Sequence, residues 1–155
     1  MEKETLPFEI LPATLGDLPQ IREMEKICFP LDAWPLIEQI AVLMLPGLVR
    51  LKAVHESKMV GFVGGDIRRS QKEGWIITLA VMPAFRRMGA ANELLDRCER
   101  EMRMPTVKLC VRKSNLAALA LYLKRGYQQT ETWARYYDGG EDALVLVKKM
   151  PEFES

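Results

Sequence analysis

The sequence predicts a mixed α/β fold in which a mostly antiparallel sheet carries one parallel pair and about four helices. Three observations point there. Leu48 to Val54, Met59 to Asp66 and Trp75 to Val81 are apolar, strand-like runs joined by short polar links, the pattern of an antiparallel meander. From Trp75 onward strand, helix, strand and helix alternate, which requires a parallel crossover in the second half. The 155 residues are 48% hydrophobic and 28% charged, ordinary globular composition with enough apolar material for one sizeable core.

Taken in order, Phe8 to Leu11 reads as the first strand. Thr14-x-x-Asp17 has the spacing of a capped helix start, and Leu18, Ile21, Met24 and Ile27 recur every three residues along one face, so a helix is expected through Ile27 until Pro30 stops it. Pro35 suits a first helical turn, giving a second helix from about Trp34 to Leu43 before Pro46-Gly47 breaks the pattern. The meander turns at Glu56-Ser57-Lys58 and along the link Arg68 to Gly74. A helix from Arg87 to Met102, a strand from Val107 to Val111 and a helix from Ser114 to Lys124 follow. Tyr127 to Tyr136 and Ala143 to Lys149 are the closing strands. One domain over residues 1–150 is expected, with 151–155 a frayed tail.

Charge and composition exclude several function classes. With 22 Lys and Arg against 21 Asp and Glu the formal net charge is +1, which predicts no nucleic-acid partner. Met1-Glu2-Lys3-Glu4 lacks an apolar signal region, and no apolar run approaches the roughly 20 residues of a membrane span, so no membrane partner and a cytoplasmic location are expected. Cys28, Cys98 and Cys110 have no metal-ligand spacing, and His55 is the single histidine; reduced, buried thiols and no metal site are expected. His55 and the Arg68-Arg69-Lys72 cluster read as solvent-facing.

The chemistry concentrates where Ile76 to Met82 runs into Pro83-Ala84-Phe85-Arg86-Arg87-Met88-Gly89-Ala90-Ala91. A helix start exposes unpaired N–H groups and a positive dipole end, and small residues let an anion reach the amides, so Arg86, Arg87, Gly89 and Ala91 read as a phosphate cradle. About twenty residues on, Val107 to Val111 leads through Arg112-Lys113-Ser114-Asn115 into a helix carrying Tyr122, followed by Gly126-Tyr127. Ser114 or Asn115 can cap that helix. Tyr122 comes seven residues after Asn115, about two turns, so both point to one side.

Arg86-x-x-Gly89-x-Ala91 and the Ser114-Asn115 segment resemble the two signatures of the GNAT acetyltransferase superfamily. Cys28-Phe29-Pro30, Trp34, Tyr136-Tyr137 and Glu141-Asp142-Ala143 are similar to the subgroup that acetylates protein N-termini, which includes ribosomal-protein alanine N-acetyltransferases. The resemblance covers nearly the whole chain. It implies a GNAT fold and acetyl-coenzyme A as cofactor. Leu79, Ala80 and Val81 would hold the thioester arm through their backbone amides, with core packing open to their side chains. Arg86, Arg87, Met88, Gly89, Ala90 and Ala91 would hold the pyrophosphate, and Asn115 would contact the cofactor or cap its helix. Phe29, Asp32, Trp34, Tyr136 and Tyr137 would line the acceptor groove, with the first two helices flanking it.

Acetyl transfer to an amine needs a bound thioester, a deprotonated amine, stabilisation of the oxyanion and a proton for the leaving thiolate. By resemblance Tyr122 is the general acid, the alternative being a core tyrosine. The base is where the pattern fails: the subgroup has Glu or His at the end of the strand, and this chain has Cys110. A thiol with an ordinary pKa near 8.5 in an apolar strand is a poor base. An α-amine with pKa about 7.8 is roughly a tenth neutral at pH 7, whereas a lysine amine is neutral only about once in two to three thousand, so a weak base suits an α-amine acceptor. A water relay, or Asp32 if it is not merely a turn residue, could complete the deprotonation. The expected function is an N-acetyltransferase acting on a peptide or protein N-terminus, with ribosomal proteins among the candidate acceptors. A small-molecule amine acetyltransferase and a degenerate coenzyme A-binding module are the alternatives.

Overall fold

The computed structural model describes residues 8–31 and 36–154. Its elements run β1 (Glu9–Pro12), α1 (Leu18–Cys28), α2 (Leu36–Met44), β2 (Leu48–His55), β3 (Lys58–Arg68), β4 (Glu73–Val81), α3 (Ala90–Met102), β5 (Thr106–Arg112), α4 (Leu116–Lys124), β6 (Gln128–Trp133) and β7 (Ala143–Lys149). The strands form one sheet in the order β1-β2-β3-β4-β5-β7-β6, antiparallel except for the central β4–β5 pair. The mixed α/β class, the parallel pair and the four helices agree with the sequence.

Two layers of helix sandwich the sheet. On one face α3 contributes Leu94, Leu95, Cys98 and Met102, which pack with Leu51, Val63, Ile76, Leu109 and Leu146 and with Tyr122 and Tyr127. The approach is close because two strand positions lack side chains: a Cβ on Gly65 would lie 2.7 Å from Cys98 Sγ, and one on Gly74 would lie 2.8 Å from Met102 Sδ. On the other face α1 and α2 pack Ile21, Met24, Val42 and Leu43 onto Phe62 and Ala80. A buried bond from Gln39 Nε2 to Glu25 Oε2 (2.7 Å) ties α1 to α2. Among the described residues this second cluster includes nothing from β5, β6 or β7, so the described side chains of α1 and α2 pack on only half of that face.

Several boundaries differ from expectation for local reasons. Asp17 accepts the Thr14 N–H at 2.8 Å, as the spacing predicts, yet the first turn is 3-10 (Leu15–Asp17) and α1 starts at Leu18. Helix α3 begins at Ala90 rather than Arg87 because Arg87 (φ 73°) and Gly89 (φ 88°) are left-handed. Helix α4 begins at Leu116 with Asn115 as its cap. Strand β6 stops at Trp133, and the left-handed Arg135 (φ 51°) turns Tyr136 and Tyr137 into a loop instead of an extended strand. The C-terminal segment is not frayed as far as Glu154: Pro151–Phe153 forms a 3-10 turn, with Phe153 packed on the main core. Asp32 and Trp34 lie outside the described residues.

Candidate active site

Strands β4 and β5 pair only from Glu73↔Thr106 to Ile76↔Leu109. Beyond Ile76, β4 continues bonded to β3 as far as Val81, and beyond Leu109, β5 continues bonded to β7 as far as Arg112. The two halves of the sheet therefore part, and from Ile77 onward β4 presents main-chain groups to a gap with no strand opposite among the described residues. Such groups are obligatory hydrogen-bonding partners for something extended. In open sheets with parallel strands, ligands bind beyond the carboxyl ends of those strands, and both α3 and α4 start at that end of the gap.

The turn after β4 is anchored at both ends. Met82 N–H donates to the Val60 carbonyl (2.8 Å), and the Val81 carbonyl accepts Arg86 Nε (3.1 Å) and the Cys28 thiol (3.4 Å). Arg86 thus braces the turn through Nε while remaining exposed, as are Arg87 and Met88. No side chain caps α3; the first helical bond runs from Glu93 N–H to the Gly89 carbonyl. The amides ahead of Glu93 have no helical acceptor. A Cβ on Gly89 would meet nothing within 4 Å, so the turn is open above the amides as well as left-handed. Uncapped amides, a dipole end, two exposed arginines and open space fit a pyrophosphate.

Tyr122 lies on the buried side of α4, its ring edge-on to Tyr127 at 5.6 Å. Burial pushes its phenol up to about 12, so it stays protonated at neutral pH. Tyr127 is itself pinned: its hydroxyl donates to Glu99 Oε2 at 2.6 Å, and Glu99, 1% exposed, also accepts Arg125 (2.7 Å) and Lys148 (3.1 Å). Sequence reasoning missed this carboxylate. At the start of α4 Asn115 Oδ1 accepts the Ala118 N–H at 3.2 Å, so the capping role is realised while its side-chain amide still carries donors.

Cys110 points the other way. Val107, Leu109 and Val111 are buried under α3 and α4, so Lys108, Cys110 and Arg112 face the half-sheet that α1 and α2 leave uncovered. Cys110 is half-buried, as is Cys28; only Cys98 is fully buried, against the expectation for all three. Burial, with the Glu131 charge second, raises the Cys110 thiol and keeps it neutral. Aromatic rings span this face. Trp75 from β4 stacks on Trp133 from β6 (6.3 Å, 25°), Trp133 meets Tyr136 (5.3 Å), and Tyr136 meets Tyr137 edge-on (5.0 Å). Both tyrosines stand in a turn, where the strict alternation of an extended strand does not apply.

The tyrosine loop is latched to the β5–α4 turn. Glu141 accepts Arg112 and the Ser114 N–H, each at 2.7 Å, and these bonds hold its carboxyl down at about 2. Arg112 also lies over the Tyr137 ring at 4.5 Å, and Asp142 accepts the Arg135 N–H at 3.1 Å. Phe29 is half-buried beside the α1–α2 cluster. His55 is not simply solvent-facing; it packs on Phe85 at 5.2 Å. Among the described residues no group of three or more His, Cys, Asp and Glu side chains could hold a metal, and no helix is long and apolar enough to cross a membrane.

Three comparisons bear on this arrangement. The sequence model of the acetyltransferase (GNAT) family matches residues 18–127. The chain is 30% identical over 145 residues to the catalytic subunit NAA10 of the Arabidopsis thaliana N-terminal acetyltransferase A complex, covering 89% of this chain and 76% of that protein. It is 26% identical to an N-alpha-acetyltransferase of Saccharolobus solfataricus, covering 92% and 93%. Among solved structures, the Escherichia coli ribosomal-protein-S18-alanine N-acetyltransferase superposes with a TM-score of 0.82 at 24% identity, covering 92% and 93%, and Ard1 from Thermoplasma volcanium with 0.79 at 25%, covering 93% and 98%.

Proposed function

The chain belongs to the acetyltransferase (GNAT) family and uses acetyl-coenzyme A, and from that premise we propose that its acceptor is the N-terminal α-amine of a peptide or protein. The observation that carries this reading is Cys110. Where a lysine amine would need a strong base, the strand offers a neutral thiol that is no base, which leaves the position suited to an amine already partly deprotonated near pH 7. The latched loop of Tyr136 and Tyr137 beside it offers rings and hydroxyls to the first residues of an extended chain. Relatives named as N-alpha-acetyltransferases support the same acceptor. We read the chain as one catalytic domain over residues 1–150, working in the cytoplasm, with ribosomal proteins among its candidate acceptors.

The cofactor supplies a thioester whose acyl carbon an amine can attack. The residues of this chain do the rest. Main-chain groups of Leu79 and Val81, which alternate away from β3 while those of Ala80 turn toward it, would orient the thioester arm in the gap, and the amides ahead of Glu93, with Arg86 and Arg87, would hold the pyrophosphate. Tyr122, on the opposite sheet face from Cys110, carries the proton that the departing thiolate takes up; with its phenol at about 12, that proton is retained until transfer.

Competition tests the acceptor. A short peptide with a free N-terminus should outcompete the same peptide blocked at its N-terminus but carrying lysine, and should outcompete spermidine or an aminoglycoside. Preference for the polyamine or the drug would assign the protein to small amines instead.

A further inference from the structure

We propose that Glu131 on β6 is the carboxylate that takes up the acceptor's ammonium proton, through one water, in place of the strand-end base that Cys110 does not supply; this rests on the α-amine reading above. The argument starts from register. Gln128 pairs with Val147 and Gln129 with Leu146, but the next partner of β7, Val145, is met by Glu131, with Thr130 bulged out between. Without that bulge Thr130 would sit opposite Val145, and Glu131 would turn to the face occupied by α3 and α4. With it, Glu131 shares a lateral row with Val145 and Cys110, since Val145 also pairs with Cys110. Bulges beside active sites commonly re-aim a side chain in this way.

The row places a carboxylate two strand spacings from Cys110, roughly 9–10 Å between Cα atoms, with a nonpolar residue between them. A glutamate side chain spans about half of that, leaving room for one water. Val145 is 1% exposed and belongs to neither helical cluster. Glu131 itself is exposed, and among the described residues it makes no ion pair, so it has both the free lone pairs and the path to solvent that a proton acceptor needs. The charged and titratable groups around it are Cys110 and Lys108 on β5, Lys149 on β7 and Glu73 on β4. Lys108 is committed to Glu73 at 2.7 Å. Arg69, Lys72, Arg103 and Glu154 line the same groove. The step balances simply: an N–H bond of the ammonium breaks, its electron pair stays on nitrogen, and the proton passes through water to a Glu131 oxygen and on to solvent.

The test is the pH dependence of kcat and of kcat/KM on one free-N-terminus peptide, for native protein, Glu131→Gln, Glu131→Asp and Cys110→Ala, with acetyl-coenzyme A affinity measured by calorimetry as the check on folding. Glu131→Gln should lose on the order of 10²-fold in kcat/KM at pH 7. The loss should shrink above about pH 8.5, where the α-amine is neutral unaided. Glu131→Asp should recover part of the rate, Cys110→Ala should keep most of it, and cofactor affinity should be unchanged in all. Native-like rates in Glu131→Gln, a loss equal at every pH, or a loss confined to KM would each overturn the assignment. If the native protein ignores peptides altogether, the α-amine reading falls with it; if it acetylates them and Glu131→Gln does so equally well, only the present proposal falls.

Discussion

Glu99→Ala should be among the most destabilising single changes in this protein. The substitution removes an acceptor that is 1% exposed and serves three donors: the Tyr127 hydroxyl at 2.6 Å, Arg125 at 2.7 Å and Lys148 at 3.1 Å. Orphaning the hydroxyl costs about 1–3 kcal/mol. The two cations are 17% and 19% exposed, so each regains some water, and together they add less than the 3–5 kcal/mol typical of a fully buried broken pair. The sum is about 3–5 kcal/mol, a large share of the 5–15 kcal/mol available to a domain. At roughly 2–4 °C per kcal/mol for a chain of this size, Tm should fall by about 6–20 °C. Glu99→Gln keeps an acceptor for Tyr127 and should cost about half as much. Because the Tyr127 ring braces Tyr122, turnover should fall in both variants even below their melting temperatures. Thermal and urea denaturation with turnover at 20 °C form the assay. A loss under about 1 kcal/mol for Glu99→Ala, or indistinguishable Ala and Gln variants, would refute the reasoning.

Three further outcomes are expected. Tyr122→Phe should lower kcat by about 10²-fold with cofactor affinity nearly intact, and because burial holds the native phenol at about 12, the native rate should show no alkaline decline from this group up to pH 10; a decline near pH 9 that vanishes in the variant would contradict it. Gly89→Glu puts negative charge over the uncapped α3 amides and a side chain where φ is 88°, so calorimetry should show acetyl-coenzyme A affinity reduced by well over tenfold; unchanged affinity in a folded variant would remove the turn from the site. The Glu141 latch has a carboxyl lowered to about 2 from 4.5, chiefly by its bonds to Ser114 and Arg112, so its contribution is complete above pH 4.5 and disappears as pH falls through 2. Hydrogen exchange at the Ser114 amide should reveal acid-induced loosening in that window, which Glu141→Gln should abolish.

The order of elements was legible because it rests on local signals: apolar periodicity, Thr14 with Asp17, and the small residues of the turn after β4. What escaped depends on partners distant in sequence. Glu99 finds its three partners 26, 28 and 49 residues away. A faint signal did exist, since Glu99 stands four residues after Leu95 and three before Met102, an acid inside an apolar stripe. The bulge at Thr130 and the left-handed Arg135 carry no glycine or proline to announce them, so β6 read as one long strand reaching Tyr136 instead of ending at Trp133. The Trp75–Trp133 stack joins strands that are not neighbours, which no pattern within either strand encodes.

The sheet itself behaves as two plates on a short hinge. Only the pairs from Glu73↔Thr106 to Ile76↔Leu109 join the β1–β4 plate to the β5–β7–β6 plate. Elsewhere the plates are fastened by side chains: Glu99 of α3 to Arg125, Tyr127 and Lys148 on one face, and Glu73 to Lys108 with Trp75 against Trp133 on the other. The opening between the plates is therefore gauged by rotamers and charges instead of backbone pairing. Exchanging Glu99 or Trp133 would act on that opening without breaking a strand pair, against the apolar core that α3 shares with both plates.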